Sequence, residues 1–180
     1  MASSLREGGT MMRFEVLNPG STSGDKVTFE AFGLTLGDNV AAQWDSSADA
    51  GRADHRVRYS NFKRSISLGF KLVALQRNGE NSIQDNIERL NILSKAAYPH
   101  YIDGVGFTGR FLKFTIGKLW VSEYGYLSSG IQVTYPSEST WDVDATGGTR
   151  PMVLEISMTI SWLGNKQPNA AKTPLMYDKF

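Results

Sequence analysis

Strict alternation between apolar and polar residues is the feature that most constrains the fold, and it is clearest in the segment PMVLEISMTISW, residues 151–162. The positions between its apolar residues are mostly Ser, Thr and Glu. The alternating apolar residues are Met152, Leu154, Ile156, Met158, Ile160 and Trp162. A repeat of two places these side chains on one face of an extended strand, whereas a helix would scatter them around its axis. We therefore predict a strand with one buried face and one solvated face.

Other segments show the same pattern at shorter length. One face of SISLGFKLVALQ has Ile66, Leu68, Phe70, Leu72 and Ala74. The remaining candidate strands are MRFEVLN, KVTFEAFGLTL, FLKFTIGKLWV and YLSSGIQVTYP. About six strands with a single apolar face favour antiparallel pairing.

One amphipathic helix is predicted within NSIQDNIERLNILSKAAYP, residues 81–99. Its apolar stripe is Ile83, Ile87, Leu90 and Ala97, with Leu93 beside it. The sequence resembles a capping box at Ser82 and Asp85, and Pro99 is a stop signal. The stripe must pack on a sheet, because the sheets are the only other large apolar surface. The predicted fold class is mainly β: a two-layer antiparallel β-sandwich or half-barrel with one packed helix.

The chain of 180 residues matches a single domain, residues 1–180. Residues 37–64 have no clear periodicity and are predicted to form a long loop, which in a compact domain is usually functional. Residues 164–180 are polar with two prolines and are predicted to form an extended tail.

Charge and composition restrict the classes of function. Lys and Arg number 19 against 18 for Asp and Glu, so the chain has no basic footprint for nucleic acid or an anionic membrane. Cysteine is absent, which excludes disulfides and thiolate chemistry. No apolar segment has the length of a signal-peptide core or a membrane-spanning helix. We expect a protein that folds in a reducing, aqueous compartment and whose partners are proteins, including copies of itself.

The segment GVGFTGR has Gly104, Gly106 and Gly109 at the spacing of a dinucleotide-binding loop. Such a loop follows a strand and opens a helix, whose N-terminal amides hold the pyrophosphate. Here the order is reversed, since the predicted helix precedes the glycines and a strand follows them. We interpret these glycines as shaping a loop or the irregular start of a strand, and we predict no cofactor.

No constellation of catalytic or metal-binding residues is found. His55 and His100 lie far apart, and a metal site would have to recruit Asp54 or Asp103 as well, so solvated or satisfied histidines are the preferred interpretation. Asp142 and Asp144 form a pair of acids of the kind that glycosidases use, but such pairs in loops are usually only solvated. We predict no catalytic residue and no metal ligand, and we do not expect an enzyme.

Basic and aromatic residues interleave in HRVRYSNFKR. One interpretation is a patch that binds nucleic acid or phosphate. The favoured interpretation is a surface that contacts an acidic neighbouring subunit, because the whole chain has almost no net charge. The candidate interface residues are Arg56, Arg58, Tyr59, Phe62, Lys63 and Arg64.

The order of these segments resembles the tail-tube fold of tube and baseplate-hub proteins from contractile-tailed bacteriophages and related injection machines. The resemblance spans roughly residues 56–163 in the order of matching elements. The segments that carry it are RVRYSNFKRSISLGFKLVA, IERLNILSKAAYPHY, FLKFTIGKLW, GIQVTYPSESTWDVD and RPMVLEISMTISW.

This resemblance implies a structural virion protein without enzymatic activity, assembled in the host cytoplasm. Members form rings of identical subunits, usually hexameric, whose sheets join into an inner barrel, and DNA passes through the lumen as non-specific cargo. The implied partners are other tube, hub and baseplate proteins, with no membrane involved. Whether the ring is the repeating tube, its junction with the baseplate hub or a tube-end ring stays open.

An alternative from another class is a stand-alone β-sandwich that binds a ligand such as a saccharide on aromatic side chains. Its candidate residues are Trp44, Trp120, Trp141 and Trp162.

Overall fold

The computed structural model describes residues 10–48, 51, 54–74, 83–102, 106–137, 141–143 and 149–163. Within these ranges the chain forms ten strands and one helix. In chain order they are β1 (Thr10–Leu17), β2 (Gly24–Ala48), β3 (His55–Val73), α1 (Ile83–Ser94), β4 (His100–Ile102), β5 (Gly106–Thr108), β6 (Leu112–Ile116), β7 (Trp120–Thr134), β8 (Trp141–Val143), β9 (Thr149–Pro151) and β10 (Val153–Trp162).

Six strands close into a barrel in the order β1-β2-β3-β10-β7-β6, with β6 pairing back to β1. Every neighbouring pair is antiparallel. Two small hairpins, β4–β5 and β8–β9, lie outside this sheet. The prediction of a mainly β, antiparallel fold with one helix is confirmed, and the structure adds that the sheet closes.

The alternating residues form the core of the barrel. In β10 the side chains of Leu154, Ile156, Met158 and Ile160 are buried, and Trp162 is partly buried against the same cluster. The inward residues of β1, β2, β3 and β6 complete the core, and they include Met12, Phe14, Val16, Val27, Phe29, Ile66, Leu68, Phe70, Leu72, Leu112, Phe114 and Ile116. A six-stranded barrel is narrow enough for such side chains to fill its interior. The period of two therefore predicted the buried faces of β3, from Ile66 onward, and of β10 correctly.

Helix α1 packs against β1 and β2, as its apolar stripe requires. Leu93 is fully buried in the core cluster, and Leu90 packs against it. The helix ends at Ser94 and a turn follows, so Ala96 is buried and Ala97, which was predicted for the stripe, is exposed. Ser82, the predicted cap residue, lies outside the described residues.

An ion pair links the end of the helix to the barrel. Lys95 Nζ donates to Asp25 Oδ2 at 2.7 Å, and both side chains are about half exposed. The hydrogen bond from Lys95, together with its charge, holds the pKa of the Asp25 carboxyl below the ordinary value of 3.8.

The prediction of a long loop at residues 37–64 is wrong. Residues 37–48 belong to β2 and residues 55–64 belong to β3, and the two segments pair with each other as a hairpin. Their Asp, Asn and Ala residues have low strand propensity, and the hairpin extends beyond the barrel, so its sequence shows no alternation of the kind that a core-facing strand has. The predicted tail at residues 164–180 lies outside the described residues.

Candidate assembly surface

The β2–β3 hairpin projects from the barrel as an arm, defined here as residues 39–48 and 55–64. Pairing of β3 with β10 ends at Ser65 and Ser161, and pairing of β2 with β1 ends at Ala31. Ten residues at the rise of a strand span about 30 Å, so the arm reaches far beyond the body of the subunit.

One face of the arm is apolar and exposed. Trp44 pairs with Tyr59, and their rings make an edge-to-face contact with centroids 5.2 Å apart. The same face has Val57 opposite Ser46. Trp44 is 60% exposed, Tyr59 47% and Val57 61%, which leaves a large unpartnered apolar surface for so small an element.

The other face of the arm is basic and polar. Its cross-strand pairs are Ala41 with Lys63, Gln43 with Asn61, Asp45 with Arg58 and Ser47 with Arg56. Three cations therefore share this face with one carboxylate.

A bulge in β3 places the aromatic and the basic side chains of this strand on opposite faces of the arm. The register shifts between Gln43 and Trp44, so that Ser60 has no partner on β2. Without this extra residue, Arg56 and Arg58 would fall on the apolar face and Tyr59 on the basic one, because a one-residue slip moves every side chain to the opposite face. The bulge is what makes the arm amphipathic.

The structure divides the six predicted interface residues into three groups. Arg56, Arg58 and Lys63 lie on the basic face, and Tyr59 and Phe62 lie on the apolar face. Arg64 does not belong to the exposed surface.

Arg64 is 2% exposed and lies where the arm leaves the barrel. Its Nε and Nη2 atoms donate to the two carboxylate oxygens of Asp38 at 3.0 and 2.6 Å. Its guanidinium carbon lies 4.3 Å from the ring centroid of Trp120 and 5.7 Å from that of Trp162. A buried group with these partners cannot contact a second subunit, so this part of the interface prediction is corrected.

Two strand edges are unpaired within the described part of the chain. From residue 32 to residue 48, β2 has β3 as its only strand partner. From residue 126 to residue 134, β7 has only β10. These edges lie at opposite sides of the four-stranded sheet β2-β3-β10-β7. An open edge presents unpaired N–H and C=O groups that another strand can bind.

The β7 edge is bent by an irregularity opposite Thr159. Between Leu127 and Ile131 the register shifts, and Gly130 adopts a φ of 73°. Where the backbone pairing is interrupted, two serine hydroxyls bind the backbone of Thr159. Ser128 Oγ donates to the Thr159 carbonyl and Ser129 Oγ accepts from the Thr159 N–H, each at 3.2 Å.

The face of this four-stranded sheet that points away from the core consists mostly of small, uncharged polar residues. They include Thr35, Asn39, Ser65, Ser67, Gln132, Thr134, Ser157 and Thr159. Its charged pair Lys71 and Glu155 is joined by an ion pair with Nζ and Oε1 2.6 Å apart. The face is hydrophilic and close to neutral.

The four tryptophans do not form one binding platform. Trp120 is buried, and Trp162 is partly buried with its Nε1 donating to Glu123 Oε2 at 2.8 Å. Trp44 is on the arm, and Trp141 is on β8 beside Tyr135. Only Trp44 and Trp141 are exposed, and they belong to different elements.

The remaining candidate residues are dispersed. His55 begins β3 on the arm, whereas His100 begins β4, where its Nδ1 lies 3.4 Å from Arg110 Nη2. Gly106 opens the short strand β5 with a φ of 117°, which fits the interpretation of an irregular strand start. Gly104, Asp103 and Asp144 lie outside the described residues.

The described residues also bear on two other classes of site. They contain no group of three or more His, Cys, Asp or Glu residues that could hold a metal ion. Their single helix is too short and too polar to span a membrane.

No protein-family model and no curated protein sequence matches this chain. What the structure defines is a closed antiparallel barrel with one packed helix, a projecting amphipathic arm and two open strand edges.

Proposed function

We propose that this chain is a structural subunit of a ring in a bacteriophage tail, in the inner tube or at its junction with the baseplate hub. The observation that carries the proposal is the pair of open edges, β2 at residues 32–48 and β7 at residues 126–134, on opposite sides of one sheet. The resemblance of the segment order to the tail-tube fold supports the same conclusion.

Open edges at opposite sides favour a head-to-tail contact. The β2 edge of one copy pairs with the β7 edge of the next, and each copy keeps one edge of each kind available. Repetition of such a heterologous contact gives a ring when the rotation closes. The ring number of six comes from the resemblance alone.

The polar face of the sheet lines the channel in this arrangement. Its Ser, Thr, Asn and Gln side chains make the channel wall hydrophilic, and the Lys71–Glu155 ion pair leaves little net charge there. A strongly basic wall would bind the phosphate backbone of DNA and retard its passage. The wall therefore suits DNA as a passing cargo that is not recognised.

The arm covers part of a neighbouring copy. Burial of Trp44, Tyr59 and Val57 there accounts for an apolar surface that is exposed among the described residues. The basic face of the arm continues the polar face of the sheet, since Lys63 precedes Ser65 by two residues on β3, and it lies beyond the part of β3 that pairs with β10, where other tube, hub or baseplate proteins can contact it. The role is structural, with no catalytic chemistry, and the location is the virion after assembly in the host cytoplasm.

The test uses two variants that each block one edge. Asn39→Lys with Gln43→Lys charges the β2 edge, and Gln132→Lys with Thr134→Lys charges the β7 edge. All four side chains are exposed, so the fold of the subunit tolerates the changes. Lysines at an edge oppose strand pairing.

Sizing by light scattering distinguishes the outcomes. We expect the wild type to form rings, each variant alone to remain monomeric, and an equimolar mixture of the two variants to form a one-to-one heterodimer through the edges left intact. If the wild type stays monomeric at the highest soluble concentration, with or without a partner tube protein, the proposal is wrong. Two variants that each assemble like the wild type would also overturn it.

A further inference from the structure

Side chains from four strands converge at the base of the arm. Asp38 comes from β2, Phe62 and Arg64 from β3, Trp120 from β7, and Trp162 from β10. The rings of Phe62 and Trp162 meet edge to face, with centroids 6.4 Å apart. The group lies at the point where β3 loses its pairing with β10, next to the terminal pair Ser65–Ser161.

The chemistry of this group requires a guanidinium. Arg64 offers Asp38 two parallel N–H donors, and the same planar group lies over the ring of Trp120. A lysine ammonium can neutralise the carboxylate, but it cannot both donate two parallel hydrogen bonds to Asp38 and stack a planar group on the ring of Trp120. The direction of the arm is therefore tied to the barrel by directional contacts rather than by apolar packing alone.

Beyond Arg64 no strand other than β2 and β3 pairs with the described residues of the arm. Residues 41–48 and 55–63 pair with each other, and Phe62 adds its edge-to-face contact with Trp162 of the barrel. A two-stranded hairpin by itself is marginally stable in water, and its twist varies more widely than that of a larger sheet.

We propose that Arg64 is the positioning residue of the arm: its fork to Asp38 and its stacking on Trp120 fix the direction in which the hairpin leaves the barrel. The arm is thereby held in an extended orientation before any partner binds. Pre-organisation of this kind reduces the ordering cost of association. The use of the fixed arm for ring assembly rests on the proposed function, whereas the positioning itself does not.

The test measures the orientation of the arm in the isolated subunit. Because the chain has no cysteine, Ser47→Cys on the arm and Ser21→Cys in the β1–β2 turn give two unique sites for spin labels. Both sites are exposed. Pulsed electron–electron double resonance then reports the distribution of label-to-label distances at a concentration where the subunit is monomeric.

The variants are Arg64→Lys, which keeps the buried charge, and Arg64→Met, which removes it and keeps the length. Lys63→Met is the matched control, because Lys63 is the neighbouring exposed cation on the basic face. We expect a narrow distribution for the parent and the control, and at least a twofold broader one for both Arg64 variants. Hydrogen exchange of the β10 amides checks that the barrel is still folded.

A distance distribution in Arg64→Lys that is as narrow as in the parent would overturn the inference. If Arg64→Met does not fold, the distribution of Arg64→Lys alone decides the outcome. A broadening accompanied by equal acceleration of exchange in β10 would also overturn it, because Arg64 would then stabilise the whole barrel rather than the arm. If the parent distribution is narrow but the wild type forms no rings, the proposed function fails and the positioning role stands. If both hold, Arg64→Lys should lower the association constant at least tenfold.

Discussion

Replacement of Trp44 by alanine removes the largest exposed side chain of the arm and is predicted to weaken assembly. Trp44 is 60% exposed. A tryptophan buries up to about 250 Å² when it is fully covered, so about 150 Å² of this ring remains available to a partner. At about 25 cal/mol per Å² its burial contributes about 4 kcal/mol at most, and losses on ordering reduce this to about 2–3 kcal/mol. The association constant is then about 30-fold to about 150-fold lower in Trp44→Ala.

The same substitution should hardly affect the isolated subunit. The ring contacts Tyr59 edge to face, and the loss of such a pair costs about 1 kcal/mol. Sedimentation velocity over a concentration series measures association, and urea unfolding measures stability. Trp141→Ala is the matched control, since Trp141 is 50% exposed and belongs to β8, which is not part of the arm. The reasoning is refuted if Trp44→Ala associates like the wild type, or if Trp141→Ala weakens association by the same factor.

Three further predictions concern the barrel and its helix. Gly125→Ala should destabilise the protein by about 1–3 kcal/mol in urea unfolding. The reason is that a Cβ at this position would lie 2.6 Å from Ile160 Cγ2 and 2.7 Å from the carbonyl oxygen of Ser161. An unchanged free energy of unfolding would mean that the strands separate easily here. Leu93→Ala should cost about 2–5 kcal/mol by the same assay, because Leu93 is fully buried between helix and barrel, and a loss below about 1 kcal/mol would contradict that packing. Lys95 lowers the folded-state pKa of the Asp25 carboxyl below 3.8. The stabilisation of the fold by this ion pair is therefore present above pH 3.8 and disappears as the pH falls through the folded-state pKa of Asp25. The difference in stability between wild type and Asp25→Asn should therefore shrink on acidification, and a difference that grows would contradict it.

The barrel core could be predicted from the sequence because its strands are half buried. The period of two in β10 identified Leu154, Ile156, Met158 and Ile160, and all four are buried. The same argument holds for the inward face of β3 from Ile66 onward. Burial of one face imposes alternation on the sequence, so the pattern is readable wherever a core exists.

The arm could not be predicted in the same way, because neither of its faces packs on the core of the subunit. Its alternation is also interrupted, since the bulge at Ser60 changes which residues of β3 share a face. Counting positions from Phe62 by two would reach Arg58 rather than Tyr59. Cross-strand register is a property of two segments together, and a single segment does not reveal it.

The predicted cluster of interface residues combines side chains that the structure separates. It included Arg64 with Arg56 and Arg58, although Arg64 is buried beside Trp120. The signal that was available is the phase of the strand: Arg64 is two residues before Ile66 and therefore lies on the buried face of β3. Asp38, its partner, is 26 positions away in the chain, and only the hairpin brings the two together.

Electron cryo-microscopy of the assembled protein tests the central claim most directly. We predict a closed ring of identical subunits in which residues 126–134 of one copy pair with a segment of similar length within residues 32–48 of the next, and in which the face containing Ser67 and Ser157 surrounds the opening. A ring with that face on its outer surface would contradict the account. So would an assembly whose contacts leave both strand edges in water.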